Sequence, residues 1–286
     1  MARDALSKGK HVLVEKPFVP TSAQAQELAT LAREKDRVLC VYQNRRWDSD
    51  FLTVRKLMRD DTLGRIVEFE THFDRLRLEK PATWKGQLGM DQAGGPLYDL
   101  GTHLLDQVFV LFGMPTTVSA KFVNQREGRF VSGVGADQQP DGITALLTYA
   151  DTGLLVFVRI GIASVETRQP RFRIRGTKGS FQKTGLDPQE PQLRAGAKPT
   201  DLNFGKETEE NYGRLCLVAP EGSIQEQVYP TVEPETYLSL YDMFTKAIDS
   251  GKEEDIPVPA TQAAQVLRII EAIQESARSG REVAPR

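Results

Sequence analysis

The sequence predicts an α/β fold that continues into an α+β part, and two observations carry this prediction. Residues 11–15 and 38–42 are predicted as buried strands on either side of one amphipathic segment, which is the strand–helix–strand order of a parallel sheet. Later segments instead alternate apolar and polar residues, which is typical of antiparallel strands with one solvated face. These segments are 66–73, 145–149, 154–160 and 172–174.

Helices are predicted at three places. The capping-box spacing Thr21-x-x-Gln24 begins a helix that runs to about residue 35. A shorter helix follows from Asp50, and the last one covers about 261–279, with Gly280 as its C-terminal cap. The apolar faces of the first two are Ala25, Leu28, Ala29 and Ala32, and Phe51, Val54, Leu57 and Met58. Residues 182–235 are rich in glycine, proline and polar residues, which predicts long loops.

The composition of the chain argues against nucleic acid, membranes and metal ions as its main partners. The 286 residues carry a formal net charge of −2, so electrostatics favour neither nucleic acid nor an anionic membrane as a partner. Cys40 and Cys216 lack metal-ligand spacing, and no metal site is predicted. No apolar stretch approaches the roughly 20 residues of a membrane span, and residues 1–10 lack the apolar core of a secretion signal. We expect a soluble, cytoplasmic protein.

The first candidate site residue is Lys16, in the run Glu15-Lys16-Pro17 that directly follows the apolar residues 12–14. Desolvation disfavours the charged form of an ammonium group, so a lysine at the end of a buried strand usually has a chemical role. The alternative is a solvated lysine in a turn between strand and loop.

The second candidate element is the segment 94–106, which begins with two glycines suited to a sharp turn. On a helix, Asp99, His103 and Asp106 fall at i, i+4 and i+7 and therefore line one face. A carboxylate one turn before an imidazole can fix the tautomer and raise the basicity of the ring. This arrangement is typical of a general base, although a surface helix with a simple Asp–His hydrogen bond is the alternative.

Three runs of this chain resemble the Gfo/Idh/MocA family of oxidoreductases. They are Val-Glu-Lys-Pro at 14–17, Tyr-Gln-Asn-Arg-Arg-Trp at 42–47, and Gly-Gly-x-x-x-Asp-Leu-Gly-x-His at 94–103. Within the family, the runs 43–54, 99–107 and 183–190 look like the branch of NADP-dependent scyllo-inositol 2-dehydrogenases.

The resemblance implies a particular architecture. Residues 1–45 would be the C-terminal part of a Rossmann dinucleotide-binding domain. Residues 46–286 would form a second domain on an open, mostly antiparallel sheet with helices on one face, and the 261–279 helix would pack back. Substrate and nicotinamide would meet between the two domains, and two copies of the chain would associate through the open sheet face.

The resemblance also implies the catalytic residues. Lys16 corresponds to the catalytic lysine of the family, His103 to its catalytic histidine and Asp99 to the carboxylate one turn earlier. The bond before Pro17 is expected to be cis. The implied reaction is hydride transfer between a secondary alcohol of a cyclic polyol or sugar and NAD(P). Which of Lys16 and His103 accepts the hydroxyl proton stays open.

Cofactor contacts are expected where the two strands end. The candidates are Glu15, Lys16, Pro17, Asn44 and Arg45, and the resemblance favours NADP over NAD. For Asn44, Arg45 and Arg46 a salt-bridged loop is an equally good interpretation.

One feature departs from the family pattern, since the sequence contains no Gly-x-Gly-x-x-Gly run before its strand–helix–strand unit. The alignment implies that roughly 70 to 90 residues of the Rossmann half precede this sequence. We therefore expect weak NADPH binding and association through an uncovered sheet edge for the 286-residue chain. The alternative functions are a regulatory homologue that binds dinucleotide or sugar without turnover and an inactive fragment.

Two further patterns concern partners and substrate. Arg171, Arg173 and Arg175 alternate with apolar residues, so all three are predicted on one sheet face, either solvated or in a subunit interface. Trp47 and Trp84 are candidates for a sugar pocket, with core anchors as the alternative.

Overall fold

Two β-sheets of very different size organise the chain. The structure is a computed structural model, and it describes residues 1–79, 88–132 and 139–286. In these ranges one sheet has two strands and the other has nine. None of the helices in the described ranges combines the length and the apolar character that crossing a bilayer requires.

The small sheet is the predicted strand–helix–strand unit. After helix α1 (Ala2–Ser7), strand β1 (Val12–Val14) and strand β2 (Leu39–Val41) pair in parallel and flank helix α2 (Ser22–Glu34). The hydroxyl of Thr21 accepts a hydrogen bond from the backbone N–H of Gln24 at 3.2 Å, so the predicted cap is confirmed. The predicted apolar face of α2 is buried.

The two strands of this small sheet differ in burial. All three residues of β2 are buried, whereas all three of β1 are only partly buried. The peptide bond between Lys16 and Pro17, just after β1, is cis, as predicted.

The large sheet is mostly antiparallel. Its order is β11-β10-β9-β8-β3-β7-β6-β4-β5. The strands are β3 (Ile66–Asp74), β4 (Thr117–Asn124), β5 (Arg129–Phe130), β6 (Gly142–Tyr149), β7 (Leu154–Gly161), β8 (Pro170–Gly176), β9 (Gly179–Thr184), β10 (Gly213–Val218) and β11 (Ile224–Tyr229). The exception is β3, which pairs in parallel with β7. An alternating sequence identifies a half-exposed strand but not its direction, so the antiparallel prediction is wrong for this pair.

The prediction of long loops over 182–235 is only partly right, since it holds for 195–208 and 230–235. This range contains helix α5 (Gln189–Arg194) and the antiparallel pair of β10 and β11. Five of the six residues of β11 are exposed, because the strand lies at the edge of the sheet. A strand that buries so little carries no apolar alternation for a sequence pattern to detect.

The prediction that three arginines share one sheet face is wrong for Arg171. The register of β8 against β9 shifts between Pro170 and Phe172, which is the mark of a β-bulge. As a result Arg171 is fully buried on the helix side of the sheet, whereas Arg173 and Arg175 are exposed on the open side.

Helices cover one face of the large sheet. Helix α3 (Ser49–Arg59) and helix α4 (Thr102–Phe112) bury most of their residues, and helix α6 (Leu238–Ser250) is more exposed. Helix α7 (Ala260–Ser279) contacts α2, α4 and β4, and so links the small sheet to the large one. It ends at Gly280 with a left-handed φ of 70°, which confirms the predicted cap. The domain boundary at residue 45 stays a prediction.

Candidate active site

The structure brings the two predicted catalytic elements into direct contact. The Nζ of Lys16 donates to the backbone carbonyl oxygen of Asp99 at 2.6 Å and to its Oδ1 at 3.1 Å. The Lys16 side chain is only 16% exposed. The interpretation of Lys16 as a solvated turn residue is therefore wrong, since its ammonium group is held against the segment that leads into α4.

A widened helical turn presents Asp99. Residues Leu97–Gly101 form one π-helical turn directly before α4, and such turns occur frequently at functional sites. The turn is preceded by a close backbone approach, because a Cβ on Gly94 would lie 2.1 Å from the carbonyl oxygen of Leu88. Gly95 has a φ of 80°, which favours glycine. Both glycines are thus required by the backbone path into the site.

His103 lies in the first turn of α4, four residues after Asp99. It is 6% exposed, and its ring centroid lies 6.4 Å from that of Phe73, which belongs to β3. The hydroxyl of Thr102 donates to the carbonyl oxygen of Tyr98 at 2.7 Å, across the junction between the π turn and α4. A partly buried ammonium group, a carboxylate and an imidazole therefore lie within one turn of the same helix start.

Asp106 was predicted on the same face as Asp99 and His103, but the structure gives it a different partner. Its two carboxylate oxygens accept from Nε and Nη2 of Arg46, both at 2.7 Å. Arg46 also donates to the side-chain oxygen of Gln262 at 2.9 Å and to the carbonyl oxygen of Pro257 at 3.2 Å. This buried, bidentate pair ties α4 to the segment after β2 and to α7.

Arg45 also takes part in a salt-bridged loop. It pairs with Asp48 at 3.0 Å and with Glu190. Burial raises the pKa of the Asp48 carboxyl well above its usual range, and the charge of Arg45 opposes this shift. The salt-bridged loop is thus confirmed for both arginines, and a cofactor contact by Arg45 stays a prediction. Asn44 is half-buried where β2 ends, and its predicted role also stays open.

A third buried arginine, Arg171, supports α4 from the sheet. Arg171 donates to Asp50 at 2.9 Å, to the hydroxyl of Thr71 at 3.0 Å and to the side-chain oxygen of Gln107 at 2.6 Å. Gln107, one turn after His103, donates in turn to the carbonyl oxygen of Arg45 at 2.8 Å. The helix that carries His103 is therefore held from both the sheet and the loop after β2.

Two of the runs that carry the resemblance contact each other in the structure. The N–H and the hydroxyl of Ser49 donate to one oxygen of Asp187, at 2.7 and 3.0 Å. The side-chain amide of Gln189 donates to the carbonyl oxygen of Trp47 at 3.1 Å. Asp187 thereby caps the N-terminus of α3, although it lies far away in the sequence. Trp47 is 6% exposed and lies in the core, which confirms the core-anchor alternative. Trp84 lies outside the described residues.

Sequence reasoning missed Arg75, which lies close to the site. It follows β3 directly and is half-buried, within electrostatic range of Asp99 and Glu190. The available signal was the two-residue period of the strand, which places Arg75 on the same face as Phe73. It was missed because the apolar run ends at residue 73.

Comparison with family models places nearly all of the chain in one oxidoreductase family. Residues 55–284 match the model described as "Oxidoreductase family, C-terminal alpha/beta domain", and residues 1–43 match "Oxidoreductase family, NAD-binding Rossmann fold" of the same Gfo/Idh/MocA group.

Individual relatives agree with the family models. The NADP(+)-dependent scyllo-inositol 2-dehydrogenase of Bacillus subtilis is 37% identical over 97% of this chain and 73% of its own length. An uncharacterized oxidoreductase of Schizosaccharomyces pombe is 38% identical over 98% of this chain and 76% of its own length. The solved structure of an oxidoreductase from Bacillus cereus has a TM-score of 0.83 at 31% identity, covering 100% of this chain and 76% of that one. The chain belongs to the Gfo/Idh/MocA family of oxidoreductases.

Proposed function

We propose that this chain is an NAD(P)-dependent dehydrogenase that acts on a secondary alcohol of a cyclic polyol or sugar. The observation that carries the proposal is the contact of Lys16 with Asp99, one turn before His103. An ammonium group and an imidazole at one helix start can serve a single alcohol. The name of the scyllo-inositol dehydrogenase relative supports the polyol class and a preference for NADP.

Each side chain has a separate role in this proposal. In the oxidation direction the substrate hydroxyl gives up its proton, and the imidazole of His103 or the amine of Lys16 accepts it. When Lys16 is protonated, its charge stabilises the alkoxide that develops on the oxygen. Asp99 is a positioning residue, because its carboxylate and its carbonyl oxygen together fix the ammonium group. A bound nicotinamide cofactor supplies the acceptor for the hydride that leaves the carbon.

The residues at the end of the small sheet fit the nicotinamide part of such a cofactor. The strands β1 and β2 are parallel, so Glu15-Lys16-Pro17 and Asn44 follow their carboxyl ends at the same edge. In open parallel sheets ligands bind outside this edge. Glu15 is exposed, and Lys16 and Pro17 are partly buried, so these residues are the candidate contacts.

We also propose that the protein is cytoplasmic and forms a homo-oligomer through the open face of the large sheet. On this face Arg173 pairs with Glu70 at 3.0 Å and Arg175 pairs with Glu68 at 3.1 Å. Both arginines are about half exposed, and each is already paired with a glutamate of the same chain. A second copy could therefore pack on this face without leaving these charges unpaired.

The test is NADP reduction with a panel of inositols and aldoses. It is run on the 286-residue chain and on a form extended by any coding sequence found in frame before Met1. We expect Lys16→Ala and His103→Ala each to lower kcat by about 10²–10⁴-fold, because each removes a group that acts on the hydroxyl proton or the alkoxide. Lys8→Ala is the matched control, since Lys8 is exposed in the turn after α1.

Two outcomes would contradict the proposal. Tight cofactor binding without turnover in either form supports the regulatory homologue instead. No cofactor binding in either form supports the inactive fragment.

A further inference from the structure

We infer that Arg75 binds an oxyanion of the substrate, so that the sugar or polyol acted on carries a phosphate or a carboxylate group. This inference rests on the proposed function, because it names the substrate class of the same site.

The backbone of Arg75 is hydrogen-bonded to the end of β7 and to the segment that follows it. Its N–H donates to the carbonyl oxygen of Gly161 at 3.0 Å, and its own carbonyl oxygen accepts from the N–H of Ser164 at 3.2 Å. The strand pairing of β3 therefore continues past Asp74. Because strand side chains alternate between the faces, Arg75 lies on the same side as Phe73, whose ring contacts His103. The guanidinium group lies within electrostatic range of Asp99, which is four residues before the candidate catalytic histidine.

Charged groups of both signs surround Arg75. Asp99 and Glu190 attract the guanidinium group, and Arg77 and Arg45 repel it. Both carboxylates already have other cations, since Asp99 pairs with Lys16 and Glu190 pairs with Arg45. In the part of the chain that the structure describes, the Arg75 side chain forms no hydrogen bond or salt bridge of its own.

The partial burial of the Arg75 charge has an energetic cost. Partial burial lowers the pKa of Arg75 from its usual value, so the protein holds this charge in a place that disfavours it. An arginine stays protonated at neutral pH even so, and a half-buried cation without a hydrogen-bonded anion is costly. A substrate oxyanion would remove that cost, and the planar guanidinium fork matches the oxygens of a phosphate or a carboxylate.

The side chain of Arg126 supports the backbone just after Arg75. Arg126 donates to the carbonyl oxygens of Leu78 at 2.6 Å and Arg77 at 2.9 Å. It also pairs with the buried carboxylate of Asp141 at 2.5 Å. The backbone that carries Arg75 is therefore hydrogen-bonded both at Arg75 and just after it, which limits the movement of this segment.

The test compares charged and neutral sugars with NADP as cofactor, in wild type, Arg75→Gln and Arg75→Lys. The probes are glucose 6-phosphate, glucuronate and glucose. We expect KM for the phosphate or the carboxylate sugar to rise at least about tenfold in Arg75→Gln, with kcat nearly unchanged, because a charge-assisted hydrogen bond is lost. Arg75→Lys should recover part of the affinity, KM for glucose should not change, and the exposed Arg168→Gln is the matched control. The probe that responds tells phosphate from carboxylate.

Three outcomes would overturn the inference. Wild type could use neutral sugars as well as charged ones, Arg75→Gln could leave every KM unchanged, or it could raise KM for NADP alone, which would place Arg75 on the cofactor.

Thermal-shift measurements separate this inference from the proposed function. If no sugar is oxidised, a rise in Tm with glucose 6-phosphate in wild type but not in Arg75→Gln supports the role of Arg75 while the dehydrogenase proposal fails. If sugars are oxidised, but Arg75→Gln uses the charged sugars as well as wild type does, the dehydrogenase stands and the inference fails.

Discussion

Arg171 lies on β8 and Arg75 directly follows the neighbouring strand β3, yet the surroundings of the two arginines differ. Arg171 is completely buried and donates to Asp50, Thr71 and Gln107, and its guanidinium carbon lies 4.0 Å from the ring centroid of Phe172. Arg75 is only half-buried and, within the described residues, has no such set of partners. One arginine has a full set of hydrogen-bond partners, and the other has only longer-range attraction from Asp99 and Glu190 among the described residues.

The difference shows how structural and functional charges can be told apart. Charges beneath the site are matched, as in the pairs of Arg46 with Asp106 and Arg171 with Asp50. Breaking one such pair strands the remaining charge in a medium of low dielectric constant. Lys16, which pairs with Asp99 and is 16% exposed, and the half-buried Arg75 are more accessible than these pairs. Substitutions beneath the site should therefore change stability, and substitutions of these two residues should change binding or turnover.

The largest stability effect is expected for Arg171→Met. The change leaves the carboxylate of Asp50 buried without its cation, so we expect the free energy of unfolding to fall by about 3–5 kcal/mol. Arg75→Gln should change it by less than about 1 kcal/mol, because no buried partner is left behind. Urea denaturation measures both. The double variant Asp50→Asn/Arg171→Met should recover part of the lost stability. Equal losses for Arg171→Met and Arg75→Gln would contradict the distinction between the two arginines.

A smaller effect that depends on pH is expected at Glu207. Burial raises the pKa of this carboxyl to about 8, while Lys183, 2.7 Å away, opposes the shift. Between its usual pKa of 4.5 and about 8 the folded state keeps a proton that the unfolded state releases. The free energy of unfolding should therefore fall as pH rises through this window, with the full contribution present below it.

Glu207→Gln should remove that dependence. At pH 9 the variant should be more stable than wild type by on the order of 1–3 kcal/mol, and near pH 4 the two should be similar. Unfolding measured at several pH values, with the exposed Glu209→Gln as control, decides this. Parallel stability curves for wild type and Glu207→Gln would show that the carboxyl does not titrate in the window.

The smallest effect is expected at Arg173, two residues from Arg171 on the opposite face. Its pair with Glu70 leaves the side chain 50% exposed, so Arg173→Gln should change the free energy of unfolding by at most about 1 kcal/mol. Denaturation is combined with sedimentation, because the proposed subunit interface includes this face. A loss as large as that of Arg171→Met would contradict the placement of the two arginines on different faces.

Local patterns in the sequence predicted the small sheet and the helices α2, α3, α4 and α7, but not α6. The cap at Thr21, the buried face of α2 and the end of α7 depend on neighbouring residues, and all three are confirmed. Lys16 and His103 were found for a similar reason, since each lies in a short motif. The contact between Lys16 and Asp99 spans 83 residues and follows only from the fold.

The remaining features could not be read from such patterns. A bulge shifts Arg171 to the buried face. A two-residue alternation in the sequence gives no sign of such a shift. The π turn at Leu97–Gly101 changes the path into α4 without a distinctive composition. Arg75 is polar at a position where the strand pattern had already ended, so its role became visible only through its neighbours in space.

The most direct test of the account is a double-mutant cycle on Lys16 and His103, with kcat for NADP reduction by the preferred polyol or sugar as the readout. If both groups act on one alcohol, each single alanine variant loses about 10²–10⁴-fold and the double variant is little worse than either. Full activity in either single variant, or losses that multiply as for independent sites, would contradict a shared site at the start of α4.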